Sequence, residues 1–362
     1  MMTTSMRRLL TRCMATMALA GVLAACRPPA SEAPGAADAS GGPDPSAGAV
    51  DASETLIGTW RLARIERYDQ TGAPLSHLMH PTIGLAETLG FLMSDGEHMA
   101  LVMQEEEGAS SAGGGPPPGD ALAAVERYTA YFGPYTLDGE ARYVSQQIAG
   151  SLNPRLTGGR LEPAYEFDAD RLVLVPGLQC PDSYVTDRGC AYGTTGIHLR
   201  NIWERLPPAD DIGDEAGPFL GFWEIDRIER RTLDGAELPT EQFAAGYLAY
   251  MPSGYMAVQL MRPDRRPYEG PRPTGLEAHA AMRSYASYFG PFTVDAAKGV
   301  VVHHRAGHLN PDSIGVAAPR AFELREGELV LRPPASIVDG QAVQTSVFWN
   351  RLSTLEVDAG RD

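Results

Sequence analysis

Residues 56–75 (LIGTWRLARIERYDQTGAPL) and 219–238 (FLGFWEIDRIERRTLDGAEL) spell nearly the same pattern, and the match runs on to the ends of two copies. YTAYFGPY at 128–135 answers YASYFGPF at 285–292, GSLNP at 150–154 answers GHLNP at 307–311, and IWERL at 202–206 answers FWNRL at 348–352. A duplication on this scale limits the fold more than any local pattern, because whatever one copy builds the other must build as well. Trp60 and Trp223 stand 163 residues apart, Trp203 and Trp349 only 146, so the first copy holds the insertions, notably around 76–82, 109–119 and between Cys180 and Cys190. The chain divides into a first domain at 54–207, an acidic, Pro/Gly-bearing linker at 208–218, a second domain at 219–353 and a tail at 354–362, each domain long enough to bury its own core.

Each copy reads as short strands. Trp60 and Leu62, like Trp223 and Ile225, alternate with polar residues until Ile65 and Ile228 slip the phase by one, which predicts a bulge. Residues 247–251 and 255–261 flank Pro252-Ser253-Gly254 as a hairpin, repeated in the first copy around Ser94-Asp95-Gly96, and residues 300–305, 321–325, 328–332 and 346–352 add further strands. One helix interrupts them: Thr274 with Glu277 forms a capping box, Met282, Tyr285 and Phe289 share a face, and Gly290-Pro291 ends the segment. Asp120, Val125, Tyr128, Phe132 and Gly133-Pro134 repeat the design in the first copy. The fold class is therefore all-β, with one short helix per domain, a barrel or a sandwich.

The N-terminus reads as an address. Arg7, Arg8 and Arg12 precede an apolar run at 14–22, too short to span a membrane stably, and the run closes in Leu23-Ala24-Ala25-Cys26. This resembles the bacterial lipoprotein box, which implies a signal peptide at 1–25, acylation of Cys26, and a cell-envelope location, as an outer-membrane lipoprotein facing the periplasm or exposed at the surface. Residues 26–53 are Pro, Ala, Gly, Ser and Asp with few apolar side chains and read as a flexible tether. Removing residues 1–25 takes away three arginines and no acid, moving the formal charge from −16 to −19, so nucleic acid is excluded as a partner. In an oxidising compartment Cys180 and Cys190 close a loop as a disulfide most simply; two free thiols are the alternative.

The Gly-x-Trp at 58–60 and 221–223 on each first strand, with Arg205 and Arg351 on each last strand, resembles lipocalins. There the tryptophan packs across the closed end of a barrel and the arginine lies over its ring. The longer runs MPSGYMAVQLMRPDRRPY at 251–268, YFGPF, and HHRAGHLNP at 303–311 resemble the bacterial and fungal lipocalin-like domain family. The resemblance implies two tandem antiparallel barrels of about eight strands, each wide enough for one small ligand. Trp60 with Arg205 and Trp223 with Arg351 are then the closures. Tyr250, Gln259, Met261, Tyr288, His303, His304, His308 and Asn310 are candidate ligand contacts in the second barrel, and Met251 and Met256 suit an adaptable apolar wall. Any one of these taken singly is as readily core filling. His303 and His304 are adjacent on a strand, so at most one points inward. Gln146, Gln147 and Ser151 replace His303, His304 and His308 in the first copy, so a histidine site belongs to the second alone. Asn310 recurs as Asn153, which favours a turn. Arg262, Asp264, Arg265 and Arg266 at a strand end face an acidic ligand group or form a solvated rim. No nucleophile elbow, phosphate-cradling glycine loop or zincin motif is present, and no cofactor or metal is expected. The reading is a carrier of a small hydrophobic or amphipathic molecule, with membrane attachment through the N-terminal lipid. A structural module with solid barrels is the first alternative. An isomerase, cyclase or hydrolase using His303 or His304 with Tyr288 is the second.

Overall fold

A computed structural model describes residues 56–68, 88–105, 118–168, 170–176, 185–186, 189–190, 198–210 and 212–356. The signal, Cys26, the tether, Cys180 and the side chain of Cys190 lie outside the described residues.

The first copy contributes β1 (Gly58–Tyr68), β2 (Thr88–Ser94), β3 (His98–Glu105), helix α1 (Pro118–Glu126), β4 (Tyr128–Asp138), β5 (Tyr143–Gln147), β6 (Ala164–Asp168), β7 (Arg171–Val175) and β8 (His198–Leu206). The second contributes β9 (Gly221–Thr232), β10 (Ala245–Tyr250), β11 (Tyr255–Met261), helix α2 (Gly275–Arg283), β12 (Tyr285–Asp295), β13 (Val300–His304), β14 (Ala317–Arg325), β15 (Glu328–Arg332) and β16 (Gln341–Arg351). Neighbours pair antiparallel in order, and the rings close through β8 on β1 and β16 on β9. The result is two closed eight-stranded barrels, which leave no open sheet edge in either ring. The bulges fall where the hydrophobic phase slips, between Leu62 and Arg64 and between Ile225 and Arg227.

At the start of each barrel the tryptophan and arginine are cross-strand partners, Trp60 opposite Arg205 and Trp223 opposite Arg351. The guanidinium carbons lie 4.1 and 4.0 Å from the ring centroids. Each indole N–H also donates to the carbonyl four residues upstream, Leu56 at 3.0 Å and Phe219 at 2.8 Å. Packing, a cation–π contact and a satisfied indole thus coincide at one end of each cylinder.

Helix α2 carries the expected capping box, Thr274 with Glu277, but stops at Ser284. Tyr285 and Phe289, read from sequence as one helical face, belong to β12, and Tyr128 and Phe132 to β4. Spacing of four suits a helix face and, equally, alternate residues of a strand; here pairing decides, because Met261 opposite Tyr285 starts a seven-residue register with β11.

The outward residues of β12 are buried because the barrels pack against each other. Phe91, Met93, Ala100, Val102, Ala130 and Phe132 of the first meet Phe222, Tyr247, Ala249, Met251, Ala257 and Phe289 of the second in one apolar cluster, and α1 packs on α2. The contacts are reciprocal. Phe132 meets Tyr247 at 4.7 Å and its counterpart Phe289 meets Phe91, the counterpart of Tyr247, at 5.6 Å. His98 meets Tyr247 at 5.6 Å while Tyr255 meets Phe91 at 4.6 Å. Equivalent patches contacting each other in this way define a pseudo-two-fold interface, a homodimer arrangement within one chain.

The recurring YFG and GxLNP motifs now have a cause. Phe132 pairs with Gly150 and Phe289 with Gly307, and a Cβ on either glycine would fall 2.4 or 2.2 Å from the facing ring. Asn153 and Asn310 accept from the backbone N–H two residues on, a turn role in both copies. Gly307→Ala is expected to cost ~1–3 kcal/mol by overpacking, read as a lower urea midpoint; an unchanged midpoint would mean the ring simply moves aside.

Candidate functional site

In the second barrel alternation turns Leu248 and Tyr250 of β10, Met256 and Val258 of β11, Val301 and His303 of β13 and Leu329 and Leu331 of β15 toward the lumen. Phe219, from a 3-10 turn spanning Asp214–Phe219 in what reads as linker, plugs this core against Tyr250 and Phe322 at 5.5 and 4.9 Å. Other inward residues, Ile225, Leu260, Tyr288, Phe322 and Val347, are only partly buried.

His303 lies in this interior, 1% exposed, between two phenols. Tyr250 Oη is 2.6 Å from Nε2 and Tyr288 Oη 2.9 Å from Nδ1. A neutral imidazole has one donor and one acceptor nitrogen, so one phenol donates and the other accepts, and all three groups are satisfied uncharged. Burial holds the His303 pKa well below the ordinary histidine value, and the positive charges of Arg320 and Arg305 push the same way. Burial likewise lifts the Tyr250 phenol well above its usual range. The His308 ring stacks on Tyr288, centroids 5.5 Å apart and planes 3° off parallel, and its pKa is lowered to about 4 by burial first and by Arg305 second.

Arg305 lies over the Tyr288 ring at 4.9 Å, and its Nε is buried with no hydrogen-bond partner among the described residues. Arg320 stands opposite Val301, whose side chain is in the core, so it shares the inward side of β14 with Ala318, the partner of His303. Sequence reading passed over both arginines. Arg305 was visible inside the HHRAGHLNP motif, whereas Arg320 gives no signal until the register is known.

Of the residues singled out in sequence, Tyr250, Tyr288, His303 and His308 come together. His304 does not: it is on the outer side, 3.2 Å from Thr293 Oγ1. Gln259 and Met261 are corrected too, for the odd positions of β11 face the first barrel. The Gln259 amide donates to the carbonyls of Leu101 and Tyr131 at 3.2 and 3.3 Å and accepts from Tyr285 at 2.6 Å, while Met261 sulfur receives Thr157 Oγ1 at 3.5 Å. Met251 is in the same interface and Met256 in the lumen. Asn310 caps the turn of residues 311–313, its N–H donating to His308 Nδ1 at 2.8 Å. Arg262 pairs with Glu241 at the surface of the second barrel, whereas Arg265 reaches the Ser151 and Leu152 carbonyls of the first barrel and clamps the interface. The first barrel also braces the site: Gln104 takes the His308 N–H at 2.8 Å and donates to its carbonyl at 3.2 Å.

The matching interior of the first barrel is different. Ser94 takes the place of Tyr250 and is 2.7 Å from Tyr135, the counterpart of Phe292. Gln146 replaces His303 and donates to the Met99 carbonyl at 3.2 Å. Buried Ile148 replaces Arg305, and Pro163 falls where Arg320 would be. A cavity of about 130 Å³ is lined by Val125, Tyr128, Leu152, Asn153 and Tyr268 near the interface, and an open one of about 700 Å³ by Leu137, Asp138, Tyr143 and Glu162. Among the described residues no group of three His, Cys, Asp or Glu gathers for a metal.

The profile of the lipocalin-like domain family matches residues 57–188 and 220–352. The chain belongs to that family, in two tandem copies. No curated protein sequence matches it significantly. Among solved structures, a protein of unknown function of the DUF3598 family from Nostoc punctiforme PCC 73102 is 10% identical, with 83% of this chain and 97% of that chain covered and a TM-score of 0.20. A mutant of the vaccine antigen transferrin binding protein B from Haemophilus parasuis Hp5 is 9% identical, with 73% and 53% covered and a TM-score of 0.18. At those scores neither bears on the site.

Both lumen histidines have pKa values below that of the unfolded chain, so the unfolded state takes up more protons as the pH falls through about 6.5. The stability they contribute is complete above that value and is lost on acidification, for His308 down to about 4. His303→Gln, which copies the first barrel, should flatten the fall in urea midpoint between pH 7 and 4.5 relative to the parent chain. Parallel curves would show that His303 is not buried as a neutral ring.

Proposed function

We propose that this protein is an envelope-tethered carrier or sensor, anchored through Cys26, whose second barrel takes up a small amphipathic molecule. The observation that carries the reading is the graded inner wall of that barrel. Aromatic packing of Trp223, Phe219 and Trp349 fills one part, Ile225, Leu260 and Val347 offer a partly exposed apolar wall, and Tyr288, His308 and Arg305 add polar groups beside it. Apolar wall with a few convergent polar groups is the composition of a small-molecule site. The first barrel acts as the support, with a neutral interior and a direct grip on the His308 backbone. The enzyme reading loses His304, which is on the other face of its strand, and keeps a His303 whose two nitrogens are already occupied by phenols.

The chain from Cys26 onward is titrated with the neutral fluorophore N-phenyl-1-naphthylamine. Saturable binding at one site is expected, and Leu260→Trp, which fills the apolar wall, should weaken it at least tenfold without altering the urea midpoint greatly. Saturable binding untouched by Leu260→Trp would remove the second lumen as the site.

A further inference from the structure

We propose that the second barrel receives the polar end of its ligand as a carboxylate, held between Arg305 and Arg320 beside Tyr288; this rests on the reading that the barrel binds an amphipathic molecule. The case starts from charge. The chain has 46 acids and 30 bases, so carboxylates are in surplus, and surface arginines such as Arg227, Arg231 and Arg325 find them. Arg305 and Arg320 pair with none among the described residues, although both bear on the buried His303 closely enough to oppose its protonation. They also oppose each other: burial first, and then the charge of Arg320, lowers the Arg305 pKa. Two inward cations that feel each other's charge, neither paired with a carboxylate among the described residues and one with a buried, unpartnered Nε, are costly unless an anion completes them.

The guanidinium fork matches the geometry of a carboxylate, which it can hold with two parallel N–H···O bonds. The neighbouring groups leave that role open. His303 and His308 are held neutral, Tyr250 and Tyr288 are occupied by His303, and Arg320 spends one N–H on the Pro319 carbonyl at 2.9 Å. The apolar remainder of the ligand then has the partly exposed residues Ile225, Leu260 and Val347 to lie against. The first barrel has Ile148 and Pro163 at the corresponding positions, and neither side chain can hold an anion.

Displacement of N-phenyl-1-naphthylamine by decanoate and by decan-1-ol tests this in the chain from Cys26 onward. Decanoate should displace the probe at a concentration at least tenfold lower than the alcohol, and Arg305→Gln and Arg320→Gln should each shrink that gap at least threefold while leaving the alcohol's own displacement unchanged. Equal potency of acid and alcohol, or a gap that survives in the double variant, overturns the carboxylate site while the barrel reading stands. If the fluorophore itself shows no saturable binding, both fall together. Should Arg305→Gln fail to fold, Arg320→Gln decides alone, a narrowed gap supporting the site and an unchanged one ending it.

Discussion

Burial of the outer faces of β2–β4 and β10–β12 against one another is the constraint on which the rest of the molecule depends. A lone barrel can wet its outer face, so alternation along each strand separates core from solvent. Here alternation separates two cores: odd positions of β11 and β12 make the joint between barrels, and even positions make the lumen. That joint consumes Gln259, Met261, Met251 and Tyr285, and so fixes which side chains remain for a ligand. Gln259 and the Tyr128–Ser287 pair are hydrogen-bonded within this joint, Gln259 to carbonyls of the other barrel, which helps to give the packing a defined register, whereas Tyr268 Oη is buried there with no partner among the described residues.

Duplication followed by divergence explains why the Tyr250, His303 and Tyr288 cluster occurs in the second lumen and its positions differ in the first. The pair Ser94 and Tyr135 in the first barrel corresponds to Tyr250 and Phe292 in the second, so large and small side chains redistribute while the phenol changes strands. In the first barrel the Ser94 and Tyr135 hydroxyls answer each other and the Gln146 amide donates to the Met99 carbonyl. In the second, His303 is answered by two phenols, yet Arg305 and Arg320 have no carboxylate paired with them among the described residues. The supporting grip of Gln104 on His308 makes the neutral barrel part of the site's architecture, because it holds the backbone on which the stacked imidazole stands.

Much of this was legible in the residues. The repeat, the Gly-x-Trp and last-strand arginine, and the phase slip at Ile65 and Ile228 were enough to give two closed barrels, their closures and their bulges, because each depends on neighbours along a strand or on a pattern present twice. The helix ending was not legible, since Tyr285 and Phe289 are spaced as well for one structure as for the other. Placement of Gln259 and Met261 was not legible either: period two says that they share a face, and nothing local says whether that face is lumen or joint.

By itself, then, the sequence determined the two-copy barrel, the indole-and-guanidinium closure, and the absence of counterparts to His303, His304 and His308 in the first copy, all consequences of short-range stereochemistry and of repetition. Only the tertiary structure decided that the barrels meet through their outer faces, that His303 and not His304 is enclosed, and that Arg320 of β14 shares the inward side with His303 while Arg305 lies over Tyr288. Those outcomes depend on strand registers and on contacts between residues far apart in the chain, where the energy of burial, not local preference, selects the arrangement.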